Sequence, residues 1–133
     1  MLKVIIIFLA VMVTVILLIF LFPIVKVEGD SMFPTFREGR LLVCRRLFNK
    51  KRCKQNKIYI VYLKDLEDGS PYYIVKRLHR TYQYNKVTKY DFRGDNTRVS
   101  YDSRQHGLFD SESVVAQVIG NYKNKYETFK KGE

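Results

Sequence analysis

The chain has 133 residues, with Lys and Arg numbering 24 against 13 Asp and Glu, for a net charge of +11. Apolar residues make up 47%, too many for a disordered basic tail. Their distribution excludes an ordinary soluble domain, because Val4 to Phe22 is a run of 19 residues whose only polar member is Thr14.

As a helix rising ~1.5 Å per residue, that run spans roughly 28 Å, close to the ~30 Å hydrocarbon core of a bilayer. It is longer than the roughly 7–15 apolar residues of a cleaved signal peptide. No small-x-small cleavage site follows, only Phe22-Pro23-Ile24-Val25-Lys26. The expected organisation is an uncleaved membrane anchor over residues 1–26, a β domain over 27–121 and a polar tail over 122–133. Charge leaves the orientation open, since Lys3 and the terminal amine precede the span while Lys26, Arg37 and Arg40 follow it.

Beyond the anchor, Val27 to Gly39 reads as a loop punctuated by Gly29, Pro34 and Gly39. Branched and aromatic residues predict strands over Arg40 to Phe48 and Lys57 to Lys64. The turn signal Asp68-Gly69-Ser70-Pro71 precedes a strand from Tyr72 to Leu78. A hairpin follows, Arg80 to Tyr84 and Val87 to Phe92, turning near Asn85-Lys86. Gly94 to Gly107 is an irregular polar loop, and Ser113 to Ile119 is the last strand. The fold class is mainly β behind one membrane helix.

Arg45, Arg46, Lys50, Lys51, Arg52, Lys54 and Lys57 place seven positive charges in thirteen residues. Nucleic acid, anionic lipid head groups and a merely solvated hairpin face are three readings of that run. Cys44 and Cys53 with His79 and His106 are too few for a structural zinc site. The cysteines read either as a hairpin disulfide or as two ordinary thiols, and no cofactor or metal is called for.

Three segments carry candidate chemistry. In Gly29-Asp30-Ser31-Met32-Phe33-Pro34-Thr35, a serine sits in a tight loop where Gly29 and the Ser31 N–H could serve an oxyanion. The serine needs a base, and neither histidine has a clear claim over a lysine. On a strand, Lys76 shares a face with Tyr72, Ile74 and Leu78. Burial on that face disfavours the cation and lowers the pKa, unless the side chain snorkels to solvent. In the third segment, Asp102 and Arg104 form a candidate ion pair, and Ser100 could hydrogen-bond an uncharged amine.

The Ser31-Met32-Phe33-Pro34-Thr35 segment, Lys76-Arg77 and the Gly94-Asp95-Asn96 to Gly107 loop resemble, in order, the successive boxes of type I signal peptidases. The resemblance covers essentially the whole chain. It implies a small signal-peptidase-like or LexA-like β catalytic domain, with Ser31 as nucleophile and Lys76 as general base. Ser100 then matches the serine that orients the lysine, Asp102 with Arg104 the structural ion pair, and Met32 a wall of the substrate pocket. It further implies signal-peptide-bearing precursors and the lipid bilayer as partners, with no nucleic acid. The location it implies is the cell membrane, single-pass, with the catalytic domain on the extracytoplasmic side.

Some positions depart from the family pattern. Gly29 stands where many members carry a side-chain oxyanion donor, so backbone donors must suffice. Asn56-Lys57 replaces the usual Gly-Asp before the second strand, and Leu78-His79-Arg80-Thr81 replaces the usual continuation after the lysine. Sixteen residues between Arg77 and Gly94 leave no room for a large inserted cap domain. Three rivals remain: a soluble self-cleaving repressor of the LexA type, a catalytically silent or specialised membrane-anchored assembly factor of the same fold, and a tethered nucleic-acid binder.

Overall fold

The computed structural model describes residues 1–64 and 68–120. The tail expected over 122–133 lies outside the described residues. Helix α1 runs Leu2–Leu21, and none of its residues is buried. It is long and apolar enough to cross a membrane.

The β domain is one antiparallel sheet in the order β1-β2-β7-β3-β4-β5-β6. Its strands are β1 Ile24–Lys26, β2 Leu41–Arg46, β3 Ile58–Lys64, β4 Pro71–Tyr84, β5 Val87–Arg93, β6 Phe109–Asp110 and β7 Val114–Val118. A short helix α2, Ser103–His106, and a 3-10 turn, Ser111–Ser113, interrupt the later strands. No large cap is inserted among the described residues.

Alternation explains how the sheet is buried. In β2, Leu42 and Cys44 are buried while Leu41, Val43 and Arg45 face out. The central strand β3 is covered on both sides. Its Ile58 and Ile60 join Val27, Met32, Phe36, Leu42, Ala116 and Val118 in one cluster. Its Tyr59, Val61 and Leu63 join Leu78, Tyr90, Phe92, Phe109 and Val114 in another. Each large side chain so buried contributes about 1.5–3 kcal/mol. Cys44 is buried, Cys53 half-buried, and both are free thiols.

Three local details differ from the sequence expectations. Ile24–Lys26, assigned to the anchor, pairs with Leu41–Val43 as an edge strand. The strands expected over 72–78 and 80–84 are one 14-residue strand, with its register shifted between Leu78 and Arg80. That irregularity lets β4 pair with β3 through its first half and with β5 through its second. Part of the loop expected over 94–107 is helix α2. Asp102 caps it, accepting from the Arg104 amide, and Gln105 returns a bond to the Asp102 amide. The hairpin turns at Asn85-Lys86 as expected, both with positive φ of 43° and 73°.

Candidate active site

The Ser31 loop leaves β1 through Val27 and closes on itself. Gly39 N–H donates to Val27 O at 2.8 Å, Phe36 N–H to Met32 O at 3.0 Å and Phe33 N–H to Asp30 O at 3.0 Å. Gly29 takes a positive φ of 70°, which suits a residue without a β-carbon. Burial of Met32 and Phe36 anchors the loop in the first core cluster. Ser31, just before Met32, stays partly exposed. Among the described residues, neither its hydroxyl nor its amide bonds to a protein group. Both are therefore available to a ligand.

Lys76 comes from the middle of β4, opposite Tyr59, with Arg77 opposite Ile58. Lys76 is only 3% exposed. Of its expected neighbours on the strand face, Leu78 is fully buried and Ile74 packs on the second cluster, whereas Tyr72 remains exposed. The Lys76 ammonium donates to Ser100 Oγ at 3.0 Å, and Ser100 donates to Asp102 Oδ2 at 2.6 Å. Asp102 receives a bidentate clasp from Arg104, 2.8 Å from Nε and 2.6 Å from Nη2, plus the Gly94 amide at 2.9 Å. Because Ser100 gives its proton to the carboxylate, it can only accept from Lys76.

These contacts set the protonation states. Burial pulls the Lys76 pKa down to about 8, with Arg104 adding to the fall and the Asp102 and Asp95 carboxylates opposing it. Burial alone would raise the Asp102 carboxyl. The bonds from Arg104, Ser100 and the Gly94 and Arg104 amides outweigh it and hold that group well below the usual carboxylate range. Asp102 is thus a fixed anion, and Lys76 an amine deprotonated at modest cost.

Ser31 and Lys76 line one cleft of about 350 Å³, together with Val25–Glu28, Met32, Ile60 and Tyr72–Val75. The two side chains are not hydrogen-bonded to each other. Such bonds are often long before substrate binds. Among the described residues the cleft has two free strand edges. β1 ends the sheet, and Pro71–Lys76 of β4 pairs with β3 alone, since β5 joins only from Arg77. Neither His79 nor His106 lines it; His106 stacks on Phe109 at 4.7 Å. Among the described residues no group of three or more His, Cys, Asp or Glu side chains is placed to hold a metal ion.

Sequence reasoning assigned no role to a second network. Arg77 clasps Asp95 through Nε at 2.8 Å and Nη2 at 2.7 Å, and its Nη1 donates to Asn56 O at 2.9 Å. Thr35, from the Ser31 loop, donates its hydroxyl to Asp95. Asn96 completes the attachment, with its amide on Ser31 O at 2.9 Å and its side chain on Asp30 O at 3.1 Å. Gly94 was also missed. A β-carbon there would collide with the Ser100 hydroxyl and lie 2.6 Å from the Ser31 carbonyl. The signal for both was the Gly94-Asp95-Asn96 run itself, since a glycine beside a buried acid marks close backbone approach.

Comparison with curated proteins finds no match. The family model described as Peptidase S24-like matches residues 22–118, which takes in every strand and all of the residues above. With a mainly β domain behind an apolar helix, and with Ser31, Lys76 and Ser100 brought to one site, the chain belongs to the Peptidase S24-like family, of the LexA and signal peptidase superfamily.

Proposed function

We propose that this protein is a membrane-anchored serine endopeptidase that removes N-terminal signal peptides from exported precursors. Ser31 would be its nucleophile and Lys76 its general base. The observation that carries the reading is Lys76. A 3%-exposed lysine with its pKa drawn to about 8, held by Ser100 and facing a cleft with an unpartnered serine, is a base in search of a proton. Structural lysines are kept charged by a carboxylate at contact distance, whereas this one meets a hydroxyl.

In the proposed reaction an extended peptide lies between the free edges of β1 and β4. Neutral Lys76 accepts the Ser31 hydroxyl proton as Oγ bonds to the scissile carbonyl carbon. The Ser31 amide receives the oxyanion. The lysinium then protonates the departing amine as the C–N bond breaks, leaving an acyl-enzyme. Water then gives a proton to Lys76 as its oxygen bonds to the ester carbon, and the lysinium returns that proton to Ser31 Oγ as the Oγ–C bond breaks, releasing the acyl group as a new carboxyl terminus. Helix α1 favours a membrane-bound precursor over the soluble self-cleaving alternative, because a 20-residue helix that is apolar but for Lys3 and Thr14, with none of its residues buried, requires a bilayer around it. The extracytoplasmic placement of the β domain belongs to this proposal.

The test is cleavage of a signal-bearing precursor by the full chain in detergent. Wild type should release the mature protein, while Ser31→Ala and Lys76→Ala, both folded by circular dichroism, should not. Cleavage that persists in either variant would refute the dyad. Wild type that cuts only itself would favour the self-cleaving alternative, and wild type that cuts nothing would favour a silent assembly factor.

A further inference from the structure

The catalytic reading leaves the basic run over residues 45–57 unused, and the structure gives it a definite place. Strand β2 ends beside the exit of α1. The Cys44 amide donates to Pro23 O at 2.9 Å, and Arg46 Nε to Phe20 O at 3.1 Å. The Arg46 guanidinium also lies 4.4 Å from the centre of the Phe20 ring, in the last turn of the helix. The connection from β2 returns to the same end of the sheet, where Arg45 and Lys57 share a recess with Phe22 and Ile119. Both ends of the 47–57 loop are therefore pinned at the level where α1 leaves the apolar phase.

Its charge is uncompensated. Arg45, Lys51, Arg52, Lys54 and Lys57 are exposed, and among the described residues only Lys50 of the run meets a carboxylate, Glu112 at 3.9 Å. In the middle of these cations Phe48 is 75% exposed. A phenylalanine presented to water among five cations that meet no carboxylate among the described residues is poor design for a solvated turn. Cations with an apolar side chain between them match a bilayer interface, where head-group phosphates and acyl chains lie within a few ångströms of each other.

We propose that this loop binds anionic phospholipid head groups of the bilayer that α1 spans, with Phe48 inserted between them. Docking there would hold the β domain against the membrane surface and fix the height of the cleft. The inference rests on reading α1 as a membrane span, and does not depend on the Ser31–Lys76 chemistry. A nucleic acid would suit the same charges, but it would have to reach them at the membrane exit of the helix, alongside the bilayer surface.

The chain contains no tryptophan, so Phe48→Trp supplies a single fluorescent reporter. The full chain carrying it would be reconstituted into vesicles of phosphatidylcholine alone or of phosphatidylcholine with phosphatidylglycerol, each with brominated acyl chains as quencher. Quenching should be at least about threefold stronger in the mixed vesicles, and should fall back when Lys51, Arg52 and Lys54 are all changed to Gln. The circular dichroism spectrum and melting temperature of that triple variant should match wild type, which shows the fold intact. Equal quenching in both lipids, or quenching indifferent to the triple variant, would overturn the proposal. Quenching abolished by added single-stranded nucleic acid at constant ionic strength would assign the loop to that partner instead. Protein that floats with the vesicles but is never quenched would refute the loop alone; protein that fails to float would refute the anchor as well.

Discussion

Two Arg–Asp pairs, each with a buried aspartate, support the candidate site, built alike and differing in where they lead. Arg77 clasps Asp95, and Arg104 clasps Asp102, each with two parallel N–H···O bonds. Each aspartate also takes a hydroxyl proton, from Thr35 in the first case and Ser100 in the second. The chain of contacts from Asp95 stops at Thr35, in the serine loop. That from Asp102 runs on through Ser100 to Lys76. The same chemistry therefore does two jobs: one pair fixes where the Ser31 loop sits, and the other fixes how Lys76 is oriented and what field it feels.

The largest expected effect removes Lys76, the proposed base, on which the second network converges. Lys76→Met should lower cleavage by about a thousandfold or more. It should nevertheless melt no lower than wild type at pH 7. A folded pKa of about 8 against 10.5 means the native site binds the proton more weakly than the unfolded chain does. Below pH 8 that mismatch costs roughly 3 kcal/mol, and the cost is relieved as pH rises from 8 toward 10.5. Thermal melts should thus show the Met variant's advantage shrinking between these pH values. A Met variant clearly less stable at pH 7 would mean the lysine is a paired cation.

The next effect separates the two networks directly. Ser100→Ala and Thr35→Ala each remove one hydroxyl from a buried aspartate, and each should cost about 1 kcal/mol of stability in urea unfolding. Their activities should diverge. Loss of Ser100 frees the Lys76 side chain and should lower kcat by about a hundredfold, while loss of Thr35, whose bonds run to Asp95 and Arg77 and not to Ser31 or Lys76, should lower it by about tenfold or less. Equal activity losses would erase the distinction.

Gly94 joins both networks, since its amide serves Asp102 and its α-carbon faces Ser100 and the Ser31 carbonyl. Gly94→Ala should cost about 2 kcal/mol in stability, as overpacking does, and reduce activity with it. A neutral Gly94→Ala would show that the two loops are not tightly joined there.

The smallest effect is on the pH profile. Wild-type kcat/KM should rise with pH through about 8 as Lys76 loses its proton. Asp102 opposes the depression of the Lys76 pKa, and Arg104 supports it, so Asp102→Asn should move the midpoint lower. Asp95 also opposes it but is the weakest of the four influences, so Asp95→Asn should move the midpoint in the same direction by less. A larger shift from Asp95→Asn would reverse the roles given to the two pairs.

Much of the fold was legible because it rests on local pattern. A 19-residue apolar run, the alternation in β2 and the Asn85-Lys86 turn each declare themselves within a few residues. β1 was hidden because Ile24–Lys26 continues the apolar composition of the helix. Only pairing with Leu41–Val43 makes those three residues a strand. β4 was read as two strands because its register shift at Leu78–Arg80 depends on which neighbour each half meets. In the site, Ser31, Lys76, Ser100, Asp102 and Arg104 were visible as candidates, and the resemblance of their segments to signal peptidase boxes supplied their roles. The Arg77–Asp95–Thr35 network was not, since its members lie 18 and 60 residues apart and only the folded sheet brings them together.

What the sequence by itself determined was a helix suited to a bilayer, a β domain behind it, and the residue types able to do acyl-transfer chemistry. The tertiary structure decided which of them share a cleft, which arginine holds which aspartate, and that Lys76 is buried beside a hydroxyl and not beside a carboxylate. The reason is physical. Helix and turn formation respond to neighbours along the chain, whereas a lowered lysine pKa measures the water removed and the charges assembled around one nitrogen. Those surroundings come from β3, β4 and the 94–104 loop together, and they exist only when the sheet has closed around them.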